Sequence, residues 1–231
     1  MKATIFYGSP RKGNTYLVVK KFMDELLIYG NIEFSEFFLP NIMPKFCIGC
    51  QLCLGSSYEN CPHSEYTKPI LTEILSSDML IFATPHYGAS MMPACMKNLI
   101  DHLDFLNLVV APRKEMFDKR AFILTTGTGS KAAIKPIKKW LKHLGVNRVY
   151  SLGFRMFTNK WCSMSKSKQL RFEKKLTKSA KKFYKLKKKR PYISTIFMYY
   201  MSKAILKKYV KEGNYPYDYW TEQGYFDKRP F

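Results

Sequence analysis

Five short β-rich runs, each followed by a segment with helical spacing or by a loop, constrain this 231-residue chain more than any other feature. KATIFYG (2–8) ends on a glycine, and IEFSEFFL (32–39) alternates as a half-covered strand does. DMLIFATP (78–85) is a continuous apolar run, the pattern of a strand buried on both faces, and RAFILTTGTGS (120–130) reads as another buried strand ending in glycines. VNRVYSLGFRM (146–156) is the fifth. Between them, 14–30 carries Leu17, Phe22, Leu26 and Leu27 near helical spacing, with Gly30 as its stop. Further helices are expected over 66–77, over 91–106 with Pro93 in its first turn, and over 133–145, closed by Gly145. This alternation predicts an α/β fold, a parallel sheet with helices on both faces. Ligands of such sheets bind outside the carboxyl ends of the strands, beside the topological switch point. Chemistry is therefore to be sought in the loops that follow strands.

Three of those loops have suitable residues. GSPRKGNT (8–15) runs from the first strand into a helix, whose N-terminus offers unpaired N–H groups and partial positive charge to a phosphate. Ser9, Asn14 and Thr15 add polar groups, Arg11 adds a bidentate cation, and Gly13 lets the backbone come close. The loop matches neither the Walker pattern nor G-x-G-x-x-G, which disfavours a nucleoside triphosphate or a dinucleotide. After the third strand, Pro85, His86, Tyr87 and Gly88 offer an aromatic face and backbone amides to a planar ring. After the fourth, TTGTGS (125–130) places Thr126 and Gly127 at the same edge. Each loop alone reads equally well as a plain turn capping the next helix. Three at one edge call for a flat, phosphate-tailed ligand, and FMN fits.

GSPRKGNT, TPHYGASMMPACMKNLIDHL and TTGTGS together resemble the flavodoxin-like NAD(P)H-dependent FMN reductase family over about residues 1–157. The resemblance implies a flavodoxin-like, doubly wound, five-stranded sheet of order 2-1-3-4-5 and an FMN-dependent oxidoreductase. Ser9, Arg11, Asn14 and Thr15 would hold the phosphate. Pro85 to Gly88 and Thr126 to Gly127 would flank the ring. The flavin performs the redox chemistry, so no side chain is assigned as an acid or base catalyst.

The loop after the second strand holds CIGCQLCLGSSYENCP, four of the six cysteines within fifteen residues. The run C-x2-C-x2-C departs from the two separated C-x2-C pairs of zinc sites. Its overlapping spacings and closing Cys-Pro are similar to a ferredoxin run, with a longer gap before the last cysteine and only one set of four. One [4Fe–4S] cluster is the economical assignment, and a metal-free thiol loop walling the pocket is the alternative. The iron–sulfur flavoproteins, a branch of the same family, carry such a motif here, which implies Cys47, Cys50, Cys53 and Cys61 as ligands. Cys95 and Cys162 stand apart and read as small buried hydrophobes.

Nothing at the N-terminus reads as a signal peptide, and no window reaches about 18 apolar residues. Both observations point to the cytoplasm, where a disulfide framework is not expected. The formal charge is +22, yet residues 1–157 contribute only +7 and residues 158–231 contribute +15. The excess belongs to an extension over 161–231 that follows a flavin-binding domain over 1–160, with its cysteine-rich loop at 41–63. Residues 166–190 read as a basic helix with Phe172, Leu176, Ala180 and Phe183 on one face. Residues 191–210 repeat apolar side chains at Ile193, Ile196, Phe197, Tyr200, Met201, Ala204 and Ile205. That stripe needs a cover: the domain, a second copy in a homodimer or homotetramer, or a membrane surface, of which the second copy is preferred. No nucleic-acid-binding motif is present.

The expected function is electron transfer from NAD(P)H, or from a reduced acidic ferredoxin drawn to the basic surface, through FMN to a small acceptor. An FMN-only NAD(P)H:quinone reductase, a flavodoxin-type carrier without turnover of its own, and a binding module are the other readings.

Overall fold

The computed structural model describes residues 1–87, 91–158, 160–187 and 190–231. Strands β1 (Lys2–Tyr7), β2 (Glu33–Phe38), β3 (Met79–Pro85), β4 (Arg120–Gly127) and β5 (Arg148–Arg155) form one sheet of order β2-β1-β3-β4-β5. Every pairing is parallel, with Phe6 beside Phe82 and Tyr7 beside both Phe38 and Ala83. The fold is the expected flavodoxin-like α/β class. The runs of β1, β3 and β4 are buried almost throughout, whereas β2 and β5 at the edges are only partly covered. Continuous apolar runs thus take the centre of the sheet and the alternating run takes an edge.

The helices are α1 (Asn14–Leu27), α2 (Ser64–Ser76), α3 (Ala94–Leu103), α4 (Ser130–His143), α5 (Lys166–Tyr184), α6 (Ile193–Tyr209) and α7 (Tyr215–Glu222). On one face, Val18, Val19, Phe22 and Leu26 of α1 join Phe172, Leu176, Ala180 and Phe183 of α5 around Ile5, Ile81, Phe122 and Leu124. The expected face of the basic helix is therefore the buried one. Each of its Phe and Leu side chains stabilises by about 1.5–3 kcal/mol on burial. The ion pair from Lys21 to Glu173 (2.8 Å) sits at the half-exposed rim and adds little. The opposite face packs α2, α3 and α4 over Phe6, Leu80, Phe82 and Ile123. The same apolar cluster takes in Tyr199 and Leu206 of α6 and Tyr219 and Trp220 of α7.

Two local expectations are corrected and one holds. Gly30 is not a left-handed helix stop: α1 ends at Leu27, Ile28 is still right-handed, and Gly30 has no positive φ. A Cβ at Gly30 would run into the Tyr184 hydroxyl, so a contact with α5 accounts for the glycine. Gly145 does close its helix, with φ +93°. Pro93 caps α3 instead of lying in its first turn, and Met91 pairs back onto Tyr87.

On α6 the expected stripe faces outward. Among the described residues the stripe is not covered: Ile193 is 86% exposed and Phe197 66%, with Tyr200, Met201, Ala204 and Ile205 also exposed and only Ile196 half-buried. The buried face is Thr195, Tyr199, Ser202 and Leu206. Tyr199 decides this orientation, because its ring stacks on Trp220 (5.5 Å, 13°) and its hydroxyl donates to the Tyr225 carbonyl (2.8 Å). No described helix is long and apolar enough to cross a membrane.

Candidate functional site

The loops after β1, β3, β4 and β5 enclose a crevice of about 590 Å³ at the carboxyl edge of the sheet. Ser9, Arg11, Gly13, Asn14, Thr15, Pro85, His86, Tyr87, Thr126 and Gly127 all line it, so residues far apart in sequence converge as expected. Gly88 lies outside the described residues. Thr128, from the expected TTGTGS loop, also lines it, as do Met156, Phe157 and Thr158, which were not anticipated. The last three follow β5, and the signal was available: a fifth parallel strand must open its loop on the same edge.

The β1 loop is tied across the crevice. The Thr15 and Thr126 hydroxyls bond at 2.6 Å, and the Asn14 amide nitrogen donates to the Thr158 carbonyl (2.9 Å). No side chain caps α1, so its first-turn N–H groups are free for a ligand. Among the described residues, the Asn14 Oδ1 is buried without a hydrogen-bond partner, as is the His86 Nε2. A Cβ at Gly13 would meet nothing within 4 Å, which leaves room above the helix start. None of the described lining residues is acidic, and Arg11 contributes a guanidinium. An uncapped helix start, a cation and an orphaned acceptor suit a phosphate joined to a hydroxylated chain.

One expectation for the ring wall is corrected. The backbone amides of His86 and Tyr87 are not free, because they donate to the Thr126 carbonyl (2.9 Å) and the Met91 carbonyl (3.0 Å). What this segment offers is the 40% exposed ring of Tyr87 and the His86 imidazole, whose Nδ1 lies 3.3 Å from the Thr128 hydroxyl.

The cysteine loop packs elsewhere, against α3. Asn98 of α3, nearly buried, accepts from the Cys47 amide (3.0 Å) and donates to the Lys45 carbonyl (3.0 Å). Gly49 (φ +67°) and Gln51 (φ 60°) are both left-handed, and they turn the chain tightly between Cys47 and Cys53. Cys53 rides on a single helical turn (Leu52–Gly55), and Cys61 follows a 3₁₀ turn (Tyr58–Asn60). Burial pushes the Cys53 thiol up to about 11, and the neighbouring Cys61, Cys47 and Cys50 add to the shift. Cys47 and Cys50 are exposed, while Cys53 and Cys61 are half-buried. None of the four lines the described crevice. Cys95 is half-buried, its thiol raised by burial, but Cys162 is exposed and so is not the small core residue expected.

Two histidines beside the loop escaped the sequence reading. His63 Nδ1 lies 3.0 Å from His102 Nε2, next to Cys61. Burial, more than any charge, lowers the His102 pKa and so favours the neutral imidazole. The position of His63 two residues after Cys61 was legible, but its partner comes from another helix.

The profile of the NADPH-dependent FMN reductase family matches residues 1–161. An iron–sulfur flavoprotein of Clostridioides difficile (strain 630) is 28% identical over 238 residues, covering 97% of this chain and 99% of that protein. Among solved structures, the NAD(P)H:quinone oxidoreductase from Methanothermobacter marburgensis superposes with TM-score 0.61 at 15% identity, covering 81% of this chain and 98% of the other. An apo NADH:FMN oxidoreductase gives 0.54 at 17% identity, covering 84% and 92%. The structural likenesses bear on the fold alone. With the three expected ligand loops assembled at one sheet edge and the family profile matched over them, this chain is an NAD(P)H-dependent FMN oxidoreductase and belongs to the NADPH-dependent FMN reductase family.

Proposed function

We propose that electrons from NAD(P)H, or from an acidic ferredoxin, pass through FMN in the crevice to a small acceptor, with a [4Fe–4S] cluster on Cys47, Cys50, Cys53 and Cys61 as a second redox centre. When bound, the flavin supplies the hydride and single-electron chemistry. The protein's own part is to bind and orient. The start of α1 with Arg11, Ser9 and Thr15 holds the phosphate. Asn14 Oδ1 accepts from the hydroxylated chain, and Pro85 to Tyr87 with Thr126 and Gly127 wall the ring. The single observation that supports the cluster is the gathering of four thiols at one place, close enough for each of the other three to oppose ionisation of Cys53. Iron relieves that opposition, because four thiolates then share cationic charge. The iron–sulfur flavoprotein relative, matched over nearly its whole length, supports the same reading. Self-association through the exposed stripe of α6 belongs to this proposal.

Protein purified without oxygen is expected to contain about four iron and four sulfide per chain, and to lose both when Cys50→Ser is introduced. Less than one iron per chain would leave an FMN-only reductase. Replacing Arg11 and Thr15 together by Ala is expected to release the flavin, and undiminished affinity would refute the phosphate placement.

A further inference from the structure

Cys61, His63 and His102 each present one ligand atom within 4.8 Å of the others. We propose that these three side chains form a second, mononuclear site for a divalent ion of the zinc class. It would share Cys61 with the cluster, so the two occupancies exclude one another.

Geometry carries this. Tetrahedral zinc holds nitrogen at about 2.0–2.1 Å, so two bound imidazole nitrogens sit roughly 3.3 Å apart. The nitrogens of His63 and His102 are 3.0 Å apart and need only a small relaxation. The His102 ring is already oriented. Its Nδ1 lies 3.0 Å from the Asn98 carbonyl, which can only accept, so Nδ1 carries the proton and Nε2 keeps its lone pair toward His63. A backbone carbonyl on the far nitrogen is the usual outer support of a metal-bound histidine. His102 is 4% exposed, on the last turn of α3, while His63 at the start of α2 and Cys61 are half-buried. The last turn of α3 and the N-cap of α2 therefore hold the imidazoles, and the loop brings the sulfur. The His63 amide donates to Cys61 Sγ (3.4 Å), the kind of contact that steadies a thiolate.

Proton balance is simple. Without metal, the lone pair of His102 Nε2 accepts from His63 Nδ1–H. On metal binding that proton moves to His63 Nε2, leaving both imidazoles neutral, and the Cys61 thiol releases one proton to solvent. One borderline-soft sulfur and two imidazoles favour zinc over magnesium or calcium, with a fourth corner open to water.

The test uses full-length protein in which Cys47, Cys50 and Cys53 are all serine, so no cluster can form and the outcome is independent of the cluster reading. Titration with Co²⁺ is expected to give one ion per chain, with tetrahedral d–d bands and a thiolate charge-transfer band, displaced by Zn²⁺. In this background His63→Gln or His102→Gln should each weaken Co²⁺ binding by more than the ~10–100-fold typical of losing an outer support. Bound FMN and the circular dichroism spectrum report that the chain is folded. If the triple variant loses its flavin, the same titrations are made on Cys50→Ser alone. No stoichiometric Co²⁺, or binding unchanged by both histidine replacements, would overturn the site.

Discussion

Gly127→Ala probes the crevice where its geometry is tightest. Gly127 ends β4 with φ +132°, and a Cβ there would lie 2.8 Å from His86 Cβ and 3.4 Å from both the amide nitrogen and the carbonyl oxygen of His86. Ordinary carbon contact begins near ~3.5 Å, so His86 would have to retreat by several tenths of an ångström. It is not free to do so, because its amide is bound to the Thr126 carbonyl. Backbone strain of about 1–3 kcal/mol and overpacking of about 1–3 kcal/mol are opposed by about 0.4–1 kcal/mol of lost freedom in the unfolded chain. The expected net destabilisation is about 2–4 kcal/mol, or a fall in Tm of roughly 5–15 °C for a chain of this size. Urea unfolding of the FMN-free protein reads the first quantity. Quenching of flavin fluorescence is expected to show FMN bound at least ~10-fold more weakly, since the displaced segment is the proposed ring wall. Gly13→Ala is the control, because its backbone (φ −88°) accepts alanine and its Cβ meets nothing. It should leave stability within about 0.5 kcal/mol or raise it, while FMN affinity falls. If Gly127→Ala is as stable as the parent, the close approach of β4 to His86 is wrong.

Trp220→Ala removes a fully buried ring stacked on Tyr199 and is expected to cost about 3–5 kcal/mol, measured by denaturant unfolding; a loss under 1 kcal/mol would mean that α7 is not docked on the core. In metal-free protein the Cys53 thiol, raised to about 11 from an ordinary 9.0, favours the folded state as long as it stays protonated. That contribution is complete below pH 9 and is lost as pH rises toward 11, so unfolding free energy should fall across this window and Cys53 should alkylate after exposed Cys47 and Cys50 when mass spectrometry follows the labelling. Phe197→Glu, on the exposed side of α6, should leave the monomer's stability within about 0.5 kcal/mol while lowering the mass seen by light scattering; an unchanged mass would remove the stripe from the oligomer contact.

Much of this molecule is legible one residue at a time. The runs at 78–85 and 120–130 read as buried strands and the alternating run at 32–39 as a further strand, and a parallel sheet of that kind has its ligand loops at one end. The lining of the crevice was therefore visible in GSPRKGNT, TPHYG and TTGTGS, because strand polarity puts every post-strand loop on the same edge. Four cysteines in one short loop were equally plain, since local spacing alone brings them together. What the sequence did not disclose is pairing between segments that only packing makes neighbours. His63 and His102 meet because α2 and α3 lie side by side, and nothing in either segment names the other. Gly30 is required by Tyr184, which arrives from α5. The amides of His86 and Tyr87 are consumed by Thr126 and Met91. On α6, periodicity identified an apolar stripe, but which face turned inward was set by the stacking of Tyr199 on Trp220, a contact between helices. Periodicity follows from the geometry of one helix, whereas burial follows from the shape of what it meets, and that shape exists only once the chain has folded.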